Sequence, residues 1–161
     1  MAVDTRPALS AEGVYGTILT AAIVFAASTN EESTWNVFWI VLGTTLVLWA
    51  AHVYAETVAA HGRTGDTVMT LRQSFLVAQR HSAGLLYSAI IPLLLLMLGN
   101  LGIVDEDLAV DLALWSAVIV LAVLGYRAYR DRGSSMLVKI IGALATGAFG
   151  GAIILLNALI H

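Results

Sequence analysis

The feature that most constrains this chain is a succession of apolar stretches, each close to the length that crosses a lipid bilayer. About 20 mostly apolar residues, rising about 1.5 Å each, cover about 30 Å of hydrocarbon. Such stretches lie at about 12–29, 35–57, 82–102, 108–127 and 136–159. Of the 161 residues, 59% are hydrophobic and 12% charged, whereas soluble domains run at about half apolar and about a quarter charged. The apolar surplus calls for a lipid solvent. The expectation is therefore an all-α integral membrane bundle of five transmembrane helices, with residues 1–161 as one membrane domain. The first stretch is the weakest, and its start also resembles a signal peptide. Because the preceding segment holds Asp4 and Glu12 against Arg6 alone, a retained helix is the expectation.

Charge placement sets an expected orientation. With five spans, all eight Lys and Arg residues fall on one side: Arg6 in the N-terminal tail, Arg63, Arg72 and Arg80 between spans two and three, and Arg127, Arg130, Arg132 and Lys139 around the last loop. Glu31, Glu32, Asp105, Glu106, Asp107 and Asp111 fall on the other. The positive-inside rule then places the N-terminus in the cytoplasm and the C-terminus outside. Tyr15, Tyr54, Tyr87, Tyr126 and Tyr129 reach toward the cytoplasmic face, Trp35, Trp39 and Trp115 toward the outer one, and Trp49 away from either belt. Between the second and third spans, Val68, Leu71, Phe75 and Ala78 recur at helical spacing against Arg72, Gln73, Gln79 and Arg80. That pattern suits either a cytoplasmic interfacial helix at about 66–80 or an extension of span three.

Several whole classes of function are excluded. The chain lacks GxxxxGK[ST], GxGxxG and GxSxG motifs, so no phosphate-binding loop or nucleophile elbow is present. A net charge of −3 carries no nucleic-acid footprint, and the absence of cysteine removes disulfides and thiolate metal sites.

Polar groups that are costly to bury carry the functional information. His52 and Glu56 are one helical turn apart on span two and share a face. Read as a proton or ion pathway, they form a titrating pair, with Tyr15, Tyr87 and Ser88 around the same cavity. Pro92 would free the Ser88 carbonyl as a further acceptor. Read as a metal site, His52, Glu56 and His81 supply nitrogen and oxygen donors for a divalent ion, with His61 as a fourth candidate. The bland reading is that Glu56 pairs with an arginine and His52 bonds locally. No resident cofactor is expected beyond such a metal. Asn100 and Asn157 could tie spans three and five together. On span five, Ala143, Gly147 and Gly151 repeat every fourth residue beside Gly142 and Gly150, a packing face for another helix of this chain or for a second copy in a homo-oligomer.

Three segments, Glu12-Gly13-Val14-Tyr15-Gly16-Thr17, Trp49-Ala50-Ala51-His52-Val53-Tyr54-Ala55 and Gly142-Ala143-Leu144-Ala145-Thr146-Gly147, resemble small multi-spanning membrane proteins of actinobacteria. The resemblance implies a bacterial plasma-membrane location and no particular activity. The function expected from the residues is movement of protons, ions or a small solute through a polar cytoplasmic-side cavity. The alternatives are a membrane-embedded metal-dependent enzyme using His52, Glu56 and His81, and an accessory subunit without chemistry of its own. The lipid bilayer is the expected partner in every case.

Overall fold

A computed structural model describes residues 11–30, 33–61, 70–130 and 133–160. They form five helices: α1 (Ala11–Ser28), α2 (Thr34–Ala60), α3 (Leu71–Asn100), α4 (Glu106–Arg130) and α5 (Met136–Ile160). There is no strand among the described residues. Helices α2, α3, α4 and α5 are long and apolar enough to cross a membrane, whereas the apolar stretch of α1, Glu12–Ser28, is shorter.

The helix limits follow from local chemistry. Ser33 caps α2, its hydroxyl accepting the Trp35 N–H at 3.3 Å. A capping box starts α3: the Thr70 hydroxyl accepts the Gln73 N–H, and the Gln73 side-chain oxygen accepts the Thr70 N–H at 3.0 Å. That cap satisfies two donors the first turn would otherwise leave bare. From Leu71 the helix runs unbroken through Pro92 to Asn100. Residues 71–80 are thus the first turns of α3 rather than a separate interfacial helix, and 66–69 lie outside the described residues. Gly102 and Gly133 take positive φ values of 69° and 67° after α3 and α4. The Gly102 N–H returns to the Gly99 carbonyl and the Gly133 N–H to the Arg130 carbonyl. These left-handed glycines end each helix sharply. Asp105 then opens α4, its carboxylate accepting the N–H groups of Asp107 and Leu108.

The helices pack as an arc, α2 on α3, α3 on α4 and α4 on α5, with α1 touching all four. Described residues of α2 and α5 do not meet, so the arc stays open and α1 fills its hollow. This position suits the shorter length of α1. Of its described side chains only Tyr15 and Ala26 are exposed, while Gly13, Gly16, Thr17, Thr20, Ala21, Val24 and Ala27 are buried. A helix that faces other helices can carry small and hydroxyl side chains, because close approach stabilises it more than lipid contact does. Thr17 donates to its own Gly13 carbonyl at 2.7 Å. A Cβ on Gly16 would lie 3.0 Å from the Leu85 Cα of α3.

One end of the bundle, where α1 begins, holds Arg72, Arg80, Arg127, Arg130 and Lys139; the opposite end holds Asp105, Glu106, Asp107 and Asp111. The tightest apolar core lies toward the acidic end, where Val24, Val37, Val41, Leu96, Ala113 and Leu114 close together. Val24, Val41 and Leu96 are wholly enclosed. At that end the Glu106 carboxylate accepts the Thr34 N–H at 3.1 Å, tying α4 to the start of α2. Trp35, Phe38 and Trp39 form a ring cluster there, with centroids 5.4–5.6 Å apart. Around the middle of the bundle Leu46, Val47, Leu94, Ile119, Leu144 and Phe149 are exposed, an apolar outer surface far larger than a soluble monomer carries.

The glycine face of α5 meets α4. A Cβ on Gly150 would lie 3.0 Å from Val118 Cγ2, one on Gly147 3.4 Å from Ala122 Cβ, and one on Gly142 would strike the Tyr129 ring. Gly151, in contrast, has open space beyond its Cα, and Ala143 is half-buried. The close approach therefore runs along Gly142, Thr146, Gly147 and Gly150, a row rotated from Ala143, Gly147 and Gly151. Opposite it, Gly125 lies so near that an added Cβ would be 2.5 Å from the Gly142 carbonyl oxygen. The tie from Asn100 to Asn157 falls on a side chain outside the described ones, that of Asn157. The Asn100 side-chain nitrogen is enclosed without a partner among the described residues.

Candidate functional site

Three helices converge near the basic end. The first turn of α1 carries Glu12, the last turns of α2 carry Glu56, and α3 presents His81 after ten residues of its own length. One donor atom from each of Glu12, Glu56 and His81 lies within 4.8 Å of the other two. His81 Nδ1 stands 3.9 Å from Glu12 Oε1 and 3.9 Å from Glu56 Oε1. Both carboxylates are half-buried, and His81 is 63% exposed by its side chain. Two carboxylates and one imidazole supply oxygen and nitrogen donors of the kinds that can hold a cation.

Beside this group a cleft of about 250 Å³ opens between the end of α2 and the start of α3. Its walls are Glu56, Ala59 and Ala60 from α2, and Ser74, Val77, Ala78 and His81 from α3. Ser74 is 0% exposed, and its hydroxyl has no hydrogen-bond partner. Ser74 and His81 are seven residues apart, two helical turns, and so lie along one face of α3.

His52 stands one turn from Glu56 on α2, as its spacing suggested. It is half-buried, and its ring centroid is 6.4 Å from that of Tyr15. In place of His52, Glu56 and His81, the donors that converge are Glu12, Glu56 and His81. His61, at the C-cap of α2, is exposed and outside the group. Glu12 was missed because it stands at the very start of the first apolar stretch and reads as a tail charge. Its start-of-helix position, level with the end of the antiparallel α2, was the available signal.

Tyr15 and Tyr87 are about half exposed. Ser88 donates to the Leu85 carbonyl at 2.7 Å, and its hydroxyl lies 3.4 Å from that of Thr20. Deeper along the seam of α1, α2 and α3, the Thr45 hydroxyl and Trp49 Nε1 are enclosed without partners. Gly16, Thr20, Thr45 and Leu85 line a void of about 10 Å³ there, and beyond it the Val24, Val41 and Leu96 core closes the seam. The open cleft thus lies at the basic end, and the enclosed apolar core lies toward the acidic end.

Comparison with protein-family models, curated proteins and solved structures yields no match. Fold and side-chain chemistry alone carry the functional reading.

Proposed function

We propose that this is a multi-pass protein of a bacterial plasma membrane that takes a small cation into a pocket open to the cytoplasm and moves it across the bilayer. The observation that carries the reading is the convergence of Glu12, Glu56 and His81 from three helices beside a cleft at the basic end. In this proposal all five helices span, the basic loops are cytoplasmic by the positive-inside rule, and α1 crosses within the shelter of the other four. An ionisable group at membrane depth is costly unless it faces a polar cavity or a partner; Glu56 has both the cleft and His81, and Glu12 has His81. The apolar closure by Val24, Val41 and Leu96 makes this conformation inward-facing, so passage requires those side chains to separate. A closed apolar constriction of this kind is how a pathway is gated by exclusion of water.

The test is flux in proteoliposomes holding an ion-sensitive dye, with sodium, potassium and divalent cations offered in turn. Wild-type protein should carry at least one of them, and Glu56→Gln should abolish that flux while retaining helical content and monodispersity in detergent. Flux unchanged in Glu56→Gln, or no flux of any cation, would refute the proposal.

A further inference from the structure

We infer that Glu12, Glu56 and His81 bind a divalent transition-metal ion, with Ser74 bordering the water that completes its coordination; this deepens the reading of the pocket as a cation site and rests on it. The donor set decides the class of ion. Calcium and magnesium take oxygen ligands throughout, whereas an imidazole nitrogen beside carboxylates suits manganese, iron, cobalt, nickel and zinc. No thiolate is available, since the chain has no cysteine, which disfavours the softest ions.

The distances suit an ion after a closure of the donors. Bonds of about 2.1 Å at tetrahedral or octahedral angles place neighbouring donors about 3.0–3.4 Å apart. The observed separations from His81 are 3.9 Å and the two carboxylate donors lie within 4.8 Å of each other, so closing movements of up to about 1.8 Å are needed. His81, largely exposed, is free to make its share of them.

Ser74 is a second polar group beside the cleft. Its wholly enclosed hydroxyl has no partner, as is also true of polar atoms of Thr45, Trp49, Ser82 and Asn100, whereas buried polar groups are almost always hydrogen-bonded to protein or water. It lines the same cleft as Glu56 and His81. At two turns from His81 along α3, about 10 Å, it is too far to ligate the same ion. Its oxygen is enclosed, so a shift of the wall or of its rotamer brings it to water in the cleft, whose 250 Å³ is several times the roughly 30 Å³ share of one water. Three protein ligands leave positions on the metal that water fills, and those waters in turn need partners.

The experiment is equilibrium binding of manganese, cobalt and zinc chlorides to the full chain in detergent, after removal of any metal-binding tag. Cobalt's visible absorption reports the ligand set independently of transport. One ion per chain is expected. Glu56→Gln and His81→Ala should each weaken binding by more than about 100-fold, beyond the usual range for an outer-shell change, and Ser74→Ala by roughly tenfold, within it. His61→Ala should bind as wild type does. Size exclusion and circular dichroism confirm that each variant is folded. No stoichiometric ion in wild type, or full binding retained in both Glu56→Gln and His81→Ala, overturns the metal assignment. An unchanged affinity in Ser74→Ala overturns the role given to that hydroxyl. Absent metal binding together with a Glu56-dependent flux of sodium or potassium refutes the metal alone; loss of both refutes the pocket as a cation site.

Discussion

His81 Nδ1 and Glu56 Oε1 stand 3.9 Å apart, joining two helices at the basic end of the bundle, and Glu12 Oε1 reaches the same imidazole nitrogen at the same distance from a third helix. The two carboxylates thus flank one imidazole nitrogen. Groups in one such network do not act independently, and their coupling is about 0.5–3 kcal/mol in general. Glu12→Gln and Glu56→Gln should each remove most of the cation flux, and the double variant should lose little more. Additive losses in a double-mutant cycle on flux would show that the carboxylates serve separate sites.

Gly125 and Gly142 set the separation of α4 and α5. A Cβ on Gly125 meets a backbone carbonyl and the Thr146 side chain at 2.5–2.8 Å, atoms that cannot swing aside. Gly125→Ala should destabilise the protein by roughly 1–3 kcal/mol, the usual cost of overpacking. Gly151→Ala enters open space and should be neutral or stabilising by up to about 1 kcal/mol through helix propensity. Thermal unfolding of both variants in one detergent checks the contrast.

Leu96 closes the seam with Val24 and Val41, all three at 0% exposure. Leu96→Ala should cost about 2–5 kcal/mol, as truncation of a packed leucine does. It should also raise cation leak, because the apolar closure becomes wider than a methyl group can fill. Unfolding measurements and dye-loaded proteoliposomes test the two halves of this expectation separately. A destabilised variant with unchanged leak would mean that this cluster supports the fold without gating.

Orientation can be read chemically because the chain has no native cysteine. Ile103 lies in the α3–α4 connection and Ser135 just ahead of α5, and both are exposed. In intact cells a membrane-impermeant maleimide should label Ile103→Cys directly and Ser135→Cys only after permeabilisation. The reverse pattern would invert the proposed topology, and equal labelling of both would contradict a spanning arrangement.

The local sequence determined the helices and very little of their neighbours. Apolar length, the glycines after α3 and α4, and the Thr70–Gln73 box each act within a few residues, so α2 to α5 were legible wherever such signals stood. The shared face of His52 and Glu56 was equally legible, since one turn of helix places them there whatever surrounds them. Which histidine meets Glu56 was not, because that depends on how far α3 overhangs its neighbours and how α2 rotates against it. Helix packing supplies both. The same rotation turned the close face of α5 to Gly142, Gly147 and Gly150 and left Gly151 open. It also placed α1, the least conspicuous apolar stretch, at the centre of the bundle. Apolar periodicity says which side chains avoid water, but lipid and protein interior satisfy that demand alike. Only shape complementarity among small residues decides which helix lies inside and brings Glu12 to the pocket.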